Sequence, residues 1–212
     1  MAKSEVMERI ELLEKLGALI RAETKAHGLI TMIWGVAVFV GFLVYQVMVL
    51  TGFQWYFGVW VLAGLLSVAG VLTGYFRRRF GYSGGWLGRK VGAMWGMVVF
   101  GGGIPYMIIV FHSKLWQMIL LSMSPIAVSG LILTGWLLLD GIGCMVQGVF
   151  LESRAYRWIG LTMCGAAVVV AYYGFIYAWL GFALTLGLGW ILVGLKDYRE
   201  FKKITMTGVK VD

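Results

Sequence analysis

The sequence predicts an all-α integral membrane protein: six transmembrane helices arranged as three tandem hairpin repeats, a cytoplasmic amphipathic helix ahead of them, and both termini inside. Four observations lead there. The 212 residues are 60% hydrophobic and 13% charged, with a mean hydropathy of +0.86, whereas a soluble domain is about a quarter charged. Apolar stretches near 28–50, 54–76, 91–112, 115–138, 158–175 and 177–195 approach the length that crosses a hydrocarbon core of about 30 Å as helix. Strands of alternating outward polarity are missing, which argues against a β-barrel. Finally, the phrase Trp34-Gly35-Val36-Ala37-Val38-Phe39-Val40-Gly41 returns as Trp95-Gly96-Met97-Val98-Val99-Phe100-Gly101-Gly102.

The repeat sets the order of the elements. At the same offset Tyr45 matches Tyr106, Val49 matches Val110, Trp55 matches Trp116, and Leu72-Thr73-Gly74 matches Leu133-Thr134-Gly135. A fainter third copy has Gly165, Ala167, Val168 and Val170 in the places of Gly35, Ala37, Val38 and Val40, and Leu192 and Gly194 in those of Leu72 and Gly74. The chain then divides into an amphipathic helix over 1–27, hairpin one with its basic loop over 28–90, hairpin two with its loop over 91–157, hairpin three over 158–195, and a basic tail over 196–212.

Orientation follows from Lys and Arg in the short loops. Of the 18 basic residues, all but Lys114 fall in the N-terminal segment, the 77–90 loop, the loop after span 4 and the tail. These four segments share one face if six spans begin and end in the cytoplasm, which points to the plasma (cytoplasmic) membrane. The net charge of +8 is therefore positive-inside bias, and no recognition motif suggests nucleic acid. Arg77, Arg78, Arg79, Arg89 and Lys90 make a loop with no acidic residue, suited to anionic lipid headgroups. The long charged segment before the first span does not read as a cleavable signal peptide.

Residues 4–26 read as an amphipathic helix. Ser4 can cap it, Glu5 and Glu8 suit its positive end, and Met7, Ile10, Leu13 and Ile20 lie along one stripe. With acidic and basic residues balanced and no aromatic, residues 1–26 suit self-association or a partner membrane subunit better than a lipid surface. A helix lying on the bilayer or folded back on the spans is the plainer alternative.

Within the spans, Trp34, Val38, Gly41, Tyr45 and Val49 fall on one helix face. Membrane helices gain little from hydrophobicity against one another, so small residues that permit close approach carry the packing. The expected packing residues are Trp34, Gly35, Gly41, Gly70, Gly74, Trp95, Gly96, Gly135, Gly165 and Gly194, with the Trp34 ring placed across Gly74. In outline, three two-helix repeats resemble the mitochondrial carriers. Their Pro-x-(Asp/Glu)-x-x-(Lys/Arg) signature is missing from every odd-numbered span here, which excludes that family.

Hairpin two breaks the pattern. Val40-Gly41-Phe42-Leu43-Val44 becomes Gly101-Gly102-Gly103-Ile104-Pro105, and Val61-Leu62-Ala63-Gly64 becomes Ser122-Met123-Ser124-Pro125, holding the only two prolines. Proline removes a donor and frees a carbonyl. A pocket or path formed by Gly101, Gly102, Gly103, Pro105, Ser122, Ser124 and Pro125 at one depth in the outer leaflet is one reading, and a packing kink is the other.

No catalytic constellation, metal-ligand spacing or cofactor motif is present. Cys144 and Cys164 lack Cys-x-x-Cys spacing, and His27 and His112 fall at opposite faces. Asp140, with Gly141 and Gly143, reads as a turn at the end of span 4; if that span ran on towards Phe150, Asp140 would lie inside the membrane and be functional by default. The expected role is a non-catalytic assembly or accessory component, the alternative a passive channel or transporter for a neutral or weakly polar solute through the broken second hairpin.

Overall fold

A computed structural model of the protein describes residues 27–53, 57–79, 86–114 and 121–206, together with Met7, Lys25 and Met118. The segment expected as an amphipathic helix lies outside them apart from Met7, Lys25 and His27, as do residues 80–85. Every element described is helical, and six helices are long and apolar enough to cross a membrane: Gly28–Thr51, Phe57–Phe76, Lys90–His112, Pro125–Phe150, Arg154–Tyr173 and Phe175–Lys203, numbered here as spans 1 to 6. The chain is a multi-pass membrane protein.

Five spans fall close to the apolar stretches, and span 4 does not. It was expected over 115–138 and runs over Pro125–Phe150. Ser124 is its N-cap, extended in backbone, with its hydroxyl accepting from Ala127 N at 3.3 Å. Pro125 takes the first helical position, where its missing N–H costs nothing. Gly141 and Gly143, read as a turn, continue the helix because neighbouring helices pack onto them. Gly143 meets the Trp95 ring, and Gly141 meets Cys164 Sγ and Gly160 O.

Spans 1 and 6 form a close seam, running antiparallel. A Cβ built on Gly28 would lie 2.5 Å from Tyr198 N and 2.8 Å from Gly194 O; one on Gly194 would lie 2.5 Å from Met32 N. Gly35 stands against Trp190 and Ile191 backbone, and Gly187 against Phe39. Only glycine lets the two backbones approach this closely. Further along, Phe42 stacks on Phe182 at 4.8 Å and Tyr45 tilts against Trp179 at 5.1 Å. Gln46, buried, donates to Ile176 O and accepts from Leu180 N, both at 3.0 Å, which satisfies the backbone where span 6 begins as a short 3-10 turn, Phe175–Tyr177. At the other end Lys25 bonds Asp197 at 2.6 Å and Glu200 at 3.0 Å.

Spans 4 and 5 make a second close pair through Gly141, Gly148 and Gly160. Spans 5 and 6 are joined by Gly174 alone, whose φ of 133° lies where side chains are strained. These four spans hold the core, with Leu137, Cys144, Met163, Ala178 and Ala183 fully or almost fully enclosed. Spans 2 and 3 are outriggers: each has 17% of its apolar window buried, against 44% for spans 1 and 6.

Two segments widen into π-helix, Met97–Gly103 in span 3 and Ala183–Gly187 in span 6. In the first, Ile104 N reaches back to Val99 O. The glycine run and the proline at position 105, which cannot donate, account for the loosened turn.

Candidate functional site

The segments expected to form a pocket in hairpin two are not brought together. Gly102 lies against Leu139 and Gly103 beneath the Trp136 ring, while Gly101 faces open space. Trp136 and Leu139 lie about 17 Å or more along span 4 from Pro125, at 1.5 Å per residue. Ser122, Ser124 and Pro125 are exposed at the helix start. The equal depth assigned to the two prolines came from the misplaced start of span 4: Pro125 opens its helix, while Pro105 sits about 10 Å inside the end of span 3.

The expected packing residues divide into two sets. Gly35 and Gly194 are in the seam, Gly41 meets Leu62, and Gly135 lies beneath the Tyr106 ring. Around Gly70, Gly74, Gly96 and Gly165 a Cβ would meet nothing within 4 Å among the described residues. The Trp34 ring does not cross Gly74; its Nε1 donates to Thr73 Oγ1 one residue away, at 2.9 Å. Trp95, its match in hairpin two, instead donates to Gln147 Oε1 at 2.9 Å, while Thr73 and Thr134 both donate to the carbonyl four residues back in their own helices, Ala69 O and Gly130 O. Of the basic loop, Arg78 and Lys90 are exposed, and the side chains of Arg77, Arg79 and Arg89 lie outside the described residues.

Span 4 runs on to Phe150, the condition under which Asp140 was expected to lie within the span instead of in a turn at its end. Asp140 lies about 22 Å from Pro125 and about 15 Å from Phe150 along the helix. With the helix centred in a core of about 30 Å, that is some 10 Å inside the hydrocarbon. Cys144 and Gln147 follow at helical spacing, so Asp140, Cys144 and Gln147 share a face. Trp95 of span 3 bonds Gln147 and packs edge-on to Trp190 of span 6, with centroids 6.2 Å apart at 90°. The Trp190 indole N–H is buried without a partner; Cys144 Sγ lies beside it, short of hydrogen-bond geometry.

Asp140 itself is half-buried and, among the described residues, makes no hydrogen bond or ion pair. An unpaired acid at this depth costs about 2.5–3.5 kcal/mol on insertion scales. Both π-helical segments pass near its level. Trp136 and Gly143, on either side of it, touch Gly103 and Trp95 of span 3; Leu137 touches Gly181 of span 6, just before Ala183–Gly187. Such a carboxyl can hold a proton or meet a cationic or hydroxyl partner from outside the subunit. Cys144 and Cys164 are both free thiols. Among the described residues no three His, Cys, Asp or Glu side chains converge as a metal site. The signal that would have placed Asp140 was Ser124-Pro125, a cap followed by an N1 proline. No protein-family model matches the chain, and no curated protein or solved structure is detectably similar to it.

Proposed function

We propose that the chain is a non-catalytic component of the cytoplasmic membrane, three tandem hairpins with both termini inside, that assembles with further membrane subunits through spans 2 and 3. One observation carries this reading: those spans are the least buried, and among the described residues nothing covers Gly64, Gly70, Gly74, Gly92, Gly96 and Gly101. Glycine facing lipid gains nothing, whereas glycine facing another helix allows backbone approach. Residues 1–26 provide a second arm for the same assembly. The test is native mass spectrometry of gently extracted protein carrying Gly70→Leu and Gly74→Leu. Because a Cβ at either position meets nothing among the described residues, the variant keeps its fold and the complex falls apart. A solitary wild-type protein, or a variant that keeps the complex, overturns the proposal.

Asp140 favours a second reading, in which a proton or small cation passes between spans 3, 4 and 6. This moves the transport alternative away from the Gly101–Pro105 segment, which Leu139 and Trp136 cover at Gly102 and Gly103. Reconstituted protein should then lose flux on Asp140→Asn and on carbodiimide modification of that carboxyl. Full flux after either change removes the reading.

A further inference from the structure

Spans 4 and 5 meet at the face that carries the basic loops, through a turn of three residues. Leu151 N bonds Gln147 O at 2.9 Å, Ser153 N bonds Gly148 O at 2.9 Å, and Glu152 takes the left-handed conformation at φ 51°. Beside this turn Met145, Arg154, Arg157, Trp158 and Leu161 line an open cavity of about 370 Å³.

Its chemistry changes along the membrane normal. Arg154 is the first residue of span 5 and Arg157 lies one turn in, both at the level where hydrocarbon gives way to headgroups. Leu161 lies about 10 Å along span 5, and Met145 about 7 Å in from the end of span 4, so the apolar wall descends into the acyl region. Trp158 stands between them, 65% exposed, where an amphipathic ring belongs. Neither arginine has an ion pair among the described residues. The Arg157 stem is held against span 4 because Gly148 has no side chain; a Cβ there would lie 2.6 Å from Arg157 Cγ.

We infer that this cavity is a binding site for one anionic glycerophospholipid. Its phosphate lies on the Arg154 and Arg157 guanidiniums, and an acyl chain runs along Met145, Trp158 and Leu161. Two unpaired guanidiniums form a strong recognition unit for phosphate oxygens, and basic pockets between membrane helices at the cytoplasmic side hold such headgroups. A soluble phosphate would satisfy the arginines and leave the apolar wall bare; a lipid covers both. The inference does not depend on the assembly proposal, because the cavity is on spans 4 and 5 and the open glycine faces are on spans 2 and 3.

The experiment is native mass spectrometry of the full chain titrated with phosphatidylglycerol and, separately, phosphatidylcholine. Wild type should retain one phosphatidylglycerol in preference, and Arg154→Gln with Arg157→Gln should weaken that retention about thirtyfold, at roughly one decade per 1.4 kcal/mol and about 1 kcal/mol per basic group. Arg154→Lys with Arg157→Lys keeps the charge and should retain most of the affinity, which separates lost binding from lost folding. Arg199→Gln with Lys203→Gln removes the same charge from the tail and should change nothing. Equal retention of the two lipids, equal loss in the tail variant, or displacement by inorganic phosphate at millimolar concentration would each overturn the inference.

Discussion

The seam between spans 1 and 6 and the outer faces of spans 2 and 3 use the same residue for opposite ends. In the seam, Gly28, Gly35, Gly187 and Gly194 stand against backbone atoms of the facing helix; on the outriggers, Gly64, Gly70, Gly74, Gly92, Gly96 and Gly101 touch nothing among the described residues. Hydropathy does not separate the two groups, since span 2 matches span 6 at 1.9. Spacing does. The seam glycines recur every seven residues on both helices, the period of a shallow, left-handed crossing. Gly70 and Gly74 are four apart, the period of the close right-handed dimer contact. A glycine-rich membrane helix therefore announces close approach, and the seven-residue interval marks the pair that meets within the chain.

Three experiments break or sharpen this contrast. The largest effect belongs to Gly35→Leu. Its Cβ alone would lie 2.6 Å from Ile191 N, and overpacking of this kind costs about 1–3 kcal/mol before the rest of the side chain is placed. Thermal unfolding in detergent should show a large loss for this variant and almost none for Gly74→Leu; equal losses would erase the distinction between the two groups.

A smaller effect comes from the ionic staple at the end of the seam. Burial opposes the charge on Lys25, but the Asp197 and Glu200 carboxylates outweigh it and hold the ammonium above the usual lysine value of 10.5. A raised pKa means a stabilising contribution that is complete below the unfolded value and lost as pH rises through the folded one. Wild type should therefore lose stability relative to Lys25→Met above about pH 10.5, with their melting temperatures converging there. Parallel curves through that range would show that the staple adds nothing.

The smallest effect is expected for Trp34→Phe, which removes the one bond from the Trp34 indole to Thr73 and so touches how span 2 is held to span 1. Side-chain bonds between membrane helices average about 0.6 kcal/mol, so a small drop in melting temperature should accompany an unchanged oligomer. Loss of the oligomer instead would show that span 2 must be fixed before its outer face can bind.

Five spans could be read from apolar length because the bilayer imposes that length on any helix that crosses it. Span 4 was misplaced because the run after Lys114 is apolar enough to imitate a span, and Gly141 with Gly143 imitates a turn. The capping chemistry of Ser124 and Pro125 outranked both. The pairing of spans 1 and 6 was not legible, since helices in lipid carry no hydropathic mark of their neighbours. Nor did identity of residue give identity of contact: Trp34 and Trp95 occupy matching places, yet one bonds a threonine on span 2 and the other Gln147 on span 4. Asp140 was visible as a residue; its depth, which makes it of interest, had to wait for the true start of its helix.

The seam also sets a timetable. Gly28 and Gly194 touch across almost the whole described chain, so this seam cannot form until span 6 has been made. At about 5–20 residues per second of synthesis, span 1 waits roughly 10–30 s with its glycine face uncovered. Throughout that interval the nascent protein carries two bare glycine surfaces, one for its own last helix and one on span 2. Whatever shields the first from the second, whether the insertion machinery or the early docking of span 2 against Trp34, keeps the seam face of span 1 free until span 6 arrives.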